Sequence, residues 1–195
     1  MILTLALFCW GAVAHAAEQA DIPASIGQLR KVIPDLALNY SIQPTRSRAY
    51  VSEEASSPQL VIDPEFLAAI TPTALLFVIA HEYAHVFFQH QKKLAVEAMR
   101  LAALPTPELA YDALASHPVQ QEKLDSMNRQ FELDADEQAV KWLSALDIVA
   151  CSTDVLASID DGGVSMAMDR SHPGFYTRKQ VICKNKPQAF VPAVQ

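Results

Sequence analysis

From Ala74 the chain runs apolar, and "ALLFVIAHEYAHVFF" admits only His81, Glu82, His85 and the Tyr83 hydroxyl as polar groups. A run this long predicts a buried helix, here over residues 73–101, entered through Thr71-Pro72 and broken by "LPTPE". A second pattern lies downstream. Leu124, Met127, Phe131, Ala135, Ala139, Trp142 and Leu146 recur at spacings of three and four, the stripe of an amphipathic helix. Ser116-His117-Pro118 reads as its start, a cap followed by a proline near the first turn. "IPASIGQLRKVI" predicts an earlier helix over 22–33. "LALNYSIQ" and "QLVID" read as strands, with "VSEEASSP" a loop between them. A short segment over 109–115 and a helix or strand over 176–183 complete the order, with "DDGGVSMAMDRSHPGF" as a loop between the second long helix and the last element. The pattern is α+β and mainly helical, with a small sheet and no internal repeat.

The first residues are different. "MILTLALFCWGAVAHA" is apolar and ends in Ala14-His15-Ala16, an A-x-A-like cleavage site. It predicts a secretory signal over 1–16, a single domain over 17–195, and a periplasmic or secreted protein. The run is short for a membrane span, and no transmembrane helix is expected in the mature chain. Composition agrees with a globular body: 195 residues, 51% apolar, with 12 Pro and 5 Gly. A formal charge of -7 argues against a nucleic-acid partner. Of three cysteines, Cys9 would leave with the signal. Cys151 and Cys183 remain, either bridged, which would stabilise by roughly 3–4 kcal/mol, or as two buried thiols.

The polar groups in the apolar run require partners, because burying them alone is costly. "HEYAH" fits H-E-x-x-H. His81 and His85 lie four apart, about 40° around a helix, so both imidazoles can reach one Zn²⁺. Glu82 adjoins them as a general base beside the open metal position. His90, nine residues after His81, falls about 180° away on an unbroken helix and is expected at the surface or boundary. His15 and His117 belong to no pattern. A third ligand is expected from "RQFELDADEQAVKWL". Glu132 and Asp136 share a face beside the apolar stripe, whereas Asp134 and Glu137 turn away by about 200° and 140° from Glu132. Glu132 is the expected ligand, and Asp136 the acceptor that fixes His81.

Three blocks in this order resemble the gluzincin zinc peptidases of the HtpX, Oma and CAAX prenyl endopeptidase type: "LLFVIAHEYAHV", "FELDADEQAVKWL" and "SHPGFYTR". They are similar to that family's apolar HExxH helix, its E-x-x-x-D helix and its H-P-x4-R element, and they span about half the chain, from Leu75 to Arg178. The resemblance implies a zincin-like domain and a zinc endopeptidase acting on protein or peptide substrates. It implies one zinc ion held by His81, His85 and Glu132, with Glu82 as base. An envelope protein-quality-control role and an envelope partner also rest on it. Membrane helices and a helical repeat domain, present in many relatives, are not read here.

His172 is a candidate oxyanion donor, with Arg178 as a nearby ion-pair or anion-binding partner. It could instead cap a turn, or occupy the open metal position and hold the enzyme latent. "SSPQLVID" reads either as an edge strand, on which the resemblance implies that a substrate peptide pairs, or as an internal strand. Two readings compete with the peptidase: a non-catalytic zinc-binding adaptor that recognises envelope proteins, and a structural core with satisfied histidines. The first leaves Glu82 without a role; the second leaves Glu132 and Asp136 unexplained.

Overall fold

The computed structural model describes residues 16–53, 57–160 and 172–184. The predicted signal falls outside them, apart from Ala16. The described architecture is mainly helical, with one small sheet. Helix α1 (Asp21–Leu29) is followed by strands β1 (Asn39–Ile42), β2 (Ala49–Ser52) and β3 (Gln59–Ile62). Helices α2 (Pro64–Ala69), α3 (Pro72–Phe87), α4 (His90–Ala102), α5 (Pro107–Leu114), α6 (Pro118–Ala145), α7 (Thr153–Ile159) and α8 (Phe175–Cys183) complete the order.

Helix entry follows a repeated local rule. Asp63, Thr71 and Thr106 each cap with a side-chain oxygen, and a proline stands at the first helical position of α2, α3 and α5. At α6 the cap position is His117, without a side-chain bond, and Ser116 instead donates to the Ala113 carbonyl. Helix α3 is buried without interruption from Ala74 to His81, because α1, α6, α7 and β2 surround it. That explains a sequence with no polar face in its first two turns. Helix α6 buries Leu124, Phe131, Ala135, Ala139 and Trp142 as the stripe predicts, with Met127 and Leu146 at its margins.

The helix expected over 73–101 is two helices. Helix α3 ends at Phe87, Gln89 adopts a left-handed conformation (φ 56°, ψ 42°), and α4 starts at His90. No glycine or proline marks this break. The sheet also departs from expectation. Its order is β1-β3-β2, with β3 parallel to β1 and antiparallel to β2. β3 therefore lies in the centre, and "QLVI" is not an edge. The edge against α3 is β2, formed partly from residues expected to be loop. The residues over 176–183 form the helix α8, tied to the chain before α7 by the Cys151–Cys183 disulfide. No helix among the described residues is long and apolar enough to cross a membrane.

Candidate metal centre

The two long helices α3 and α6 pack side by side and bring the expected ligand groups together. His81 Nε2 lies 3.2 Å from His85 Nε2 and 3.3 Å from Glu132 Oε2, and His85 Nε2 lies 3.5 Å from Glu132 Oε1. His81 and Glu132 are buried, and His85 is nearly so. One ligand atom from each of the three residues lies within 4.8 Å of the others, a group that could hold a metal ion.

The two histidines of this cluster each have a second partner behind them. Asp136, fully buried, places Oδ1 2.9 Å from His81 Nδ1. Arg178 of α8 grips that carboxylate with both arms, Nε donating to Oδ2 at 2.8 Å and Nη2 to Oδ1 at 2.6 Å. Arg178, expected as an ion-pair or anion-binding partner, is thus paired with Asp136. Burial works to raise the pKa of Asp136, but the Arg178 hydrogen bonds and charge lower it below its ordinary value. Burial likewise opposes ionisation of Glu132, yet the hydrogen bond and charge of His81, then His85, hold it well below the usual carboxylate range.

The histidines diverge. Without a metal, burial works against a charge on His81, but the Asp136 and Glu132 hydrogen bonds push it up to about 10. Burial, followed by the charge of His81, brings His85 down to about 3. Glu82 is pushed up to about 7, first by burial, with the charge of His81 opposing and that of Glu132 adding. It also accepts a hydrogen bond from the Val51 N–H of strand β2.

His90 does not sit where an unbroken helix would put it. The left-handed turn at Gln89 swings it back toward the cluster. It is 2% exposed, and its Nδ1 is 3.0 Å from His85 Nδ1. Its ring lies parallel to Phe131 at 4.1 Å, and burial, then the charge of Lys93, lowers it to about 4. The next residue, Gln91, donates from Nε2 to the Val51 carbonyl at 2.7 Å. Helical spacing hid both residues, since no residue type at 88–89 signals the break. The one available hint was a histidine and an amide directly after an apolar run.

His172 stands at the mouth of the site, Nε2 3.7 Å from Glu132 Oε1, with its side chain 45% exposed. A cleft of about 550 Å³ is lined by His81, Glu82, His85, His90, Glu132 and His172 and runs past Tyr50 and Val51 of β2 toward Arg46 and Arg48. A neighbouring cavity of about 570 Å³, around Asp63 and Asp154, contains none of them. Just before β2 the Arg48 carbonyl accepts from the Asp63 N–H. By the alternation of an antiparallel ladder, the main-chain groups of Ala49 and Val51 therefore face the free edge. Those of Val51 are held by Glu82 and Gln91.

No match was found among curated proteins or among solved structures. The profile of peptidase family M48 matches residues 14–185, a span that includes HExxH, Glu132, Asp136, His172 and Arg178. A protease of metal-dependent type accounts for a buried cluster of two imidazoles and a carboxylate beside a second glutamate. On that match the chain belongs to peptidase family M48.

Proposed function

We propose that this protein is a zinc endopeptidase, with His81, His85 and Glu132 as ligands and Glu82 as general base. The observation that carries the reading is the spacing of the two imidazoles and the Glu132 carboxylate. Four donors placed tetrahedrally at about 2.0–2.1 Å from a metal stand about 3.3–3.4 Å apart. Here the two imidazole Nε2 atoms stand 3.2 Å apart, with Glu132 Oε2 3.3 Å from that of His81 and Glu132 Oε1 3.5 Å from that of His85. Oxygen-only cations fit less well: Ca²⁺, at about 2.3–2.6 Å, takes a larger set of oxygens, and two imidazoles suit zinc.

When bound, Zn²⁺ supplies a Lewis acid that polarises the scissile carbonyl and lowers the pKa of water toward about 7. The residues supply the rest. Asp136, locked by Arg178, keeps the His81 proton on Nδ1 and leaves Nε2 free to bind. Glu82, in its half-buried setting beside β2, takes the proton of the attacking water and passes it to the leaving amine. His172, at the cleft mouth, donates to the developing oxyanion. A substrate peptide running along β2 meets the free main-chain groups of Ala49.

The cellular setting is also a proposal. A Cys151–Cys183 bridge persists in an oxidising compartment, which favours a periplasmic or secreted protein and a role among envelope proteins. The Ala17 N–H donates to the Ile70 carbonyl at 2.6 Å and Ala17 is buried. Cleavage after Ala16 would leave that anchored residue at the new N-terminus, and intact mass of the exported protein tests it. For the activity, metal analysis is paired with cleavage of a casein or peptide substrate. The proposal requires about one zinc per chain and cleavage abolished in Glu82→Gln. His172→Ala adds to this: reduced turnover supports the oxyanion role, and increased activity supports an inhibitory one.

A further inference from the structure

We propose that His90 is a positioning residue of the metal site: it accepts a hydrogen bond from His85 Nδ1–H and so aims His85 Nε2 at the metal. The inference rests on the metal reading above and deepens it. The atoms of His81 and His85 that face each other and the Glu132 carboxylate are their Nε2 atoms. A neutral imidazole that binds through Nε2 carries its proton on Nδ1, and that N–H needs an acceptor. For His81 the acceptor is Asp136, at 2.9 Å. For His85 the group at Nδ1 is His90 Nδ1, at 3.0 Å. Two N–H groups cannot face each other at that distance. His90 therefore presents the lone pair of Nδ1 and carries its own proton on Nε2.

Three features hold the His90 ring in that orientation. The left-handed Gln89 places it as the first residue of α4, directly behind His85. Its ring stacks on Phe131 at 4.1 Å with planes 3° apart, and on Phe88 at 5.3 Å. Phe131 precedes Glu132 in α6, so the stack ties the orientation of one ligand to the helix that supplies another. The two imidazole ligands thus have unlike partners. His81 leans on an anion fixed by a guanidinium, and His85 on a neutral ring fixed by aromatic packing. A neutral partner orients His85 without adding a further negative charge beside Glu132 and Glu82.

Two substitutions separate positioning from packing. His90→Phe keeps a ring against Phe131 and removes the acceptor. His90→Asn discards the ring, but its Oδ1 falls close to where Nδ1 lay. Zinc affinity is read by competition with a chromogenic chelator, and the melting temperature of metal-free protein is read alongside. The expected result for Phe is zinc binding weaker by roughly 10–100-fold with a metal-free melting temperature within a few degrees of wild type. The expected result for Asn is near-wild-type zinc affinity despite a less stable metal-free fold. Wild-type affinity in the Phe variant overturns the inference alone. Should the Phe variant fail to fold, a tenfold or greater loss in the Asn variant overturns it. A wild-type protein that takes up no zinc overturns it together with the metal reading.

Discussion

Arg178→Met tests how strongly α8 supports the metal centre. The substitution keeps an unbranched apolar stem and removes the guanidinium. Asp136 is then left fully buried, with His81 Nδ1 as its remaining polar contact of those described above. Two charge-assisted hydrogen bonds, at 2.6 and 2.8 Å, disappear. Breaking one side of a buried ion pair costs about 3–5 kcal/mol when the remaining charge is left alone; the protonated His81 still beside Asp136 in metal-free protein places the loss toward the lower end. For a chain of this size about 1 kcal/mol moves the melting temperature by about 2–4 °C, so a fall of about 6–20 °C is expected. The pH dependence has a sign. Arg178 lowers the pKa of Asp136, so the contribution of the pair is present above the ordinary Asp value of 3.8 and lost as pH falls below it. The deficit of the variant should therefore shrink on acidification. Calorimetry at pH 8 and at about pH 2, on metal-free protein, measures both. Asp136→Asn combined with Arg178→Met should be milder than Arg178→Met alone, since no charge is then stranded. A melting temperature lowered by less than about 2 °C at pH 8 would refute the argument.

Three further outcomes are expected. Burial raises Glu82 from 4.5 to about 7, so in metal-free protein its contribution is fully present below 4.5 and lost as pH rises through about 7. Glu82→Gln should stabilise that form by up to about 3 kcal/mol at pH 8 and little at pH 4, read by urea titration; equal effects at both pH values would contradict this. His81, pushed up to about 10 without metal, must lose its proton when it binds through Nε2 with Asp136 on the other nitrogen. Zinc uptake at pH 7.5 should then release about one proton, measured by calorimetry in buffers of different ionisation enthalpy, and no buffer dependence would argue against it. The Cys151–Cys183 bridge, with partners 32 residues apart, closes a loop worth about 4 kcal/mol in the chain-entropy account. Denaturation with and without a reductant should show a loss of that order, and coincident curves would exclude it.

Much of the site was legible because helical geometry is regular. The four-residue spacings of His81 with His85, and of Glu132 with Asp136, survive folding because α3 and α6 are straight through those positions. The apolar stripe of α6 also located the face that meets α3. What escaped detection turns on single backbone choices. One left-handed residue, Gln89, splits a helix and moves His90 from the far side to the back of the metal centre. Gln is not a residue that announces such a conformation. Strand β2 buries only Val51 fully, so its alternation is too weak to read, and the loop-like "SEEASS" follows at once. With β2 missed, β3 could be read as an edge or as an internal strand. Arg178 is legible as an ion-pairing residue of the site, but its partner depends on how α8 returns across α6, which no local pattern encodes.

The most direct test of the whole account is zinc stoichiometry and peptide cleavage measured together on wild type, Glu82→Gln and Glu132→Ala. The account predicts one zinc and cleavage in wild type, one zinc without cleavage in Glu82→Gln, and loss of both in Glu132→Ala. Cleavage that survives in Glu82→Gln, or a full zinc complement held at wild-type affinity in Glu132→Ala, would contradict it.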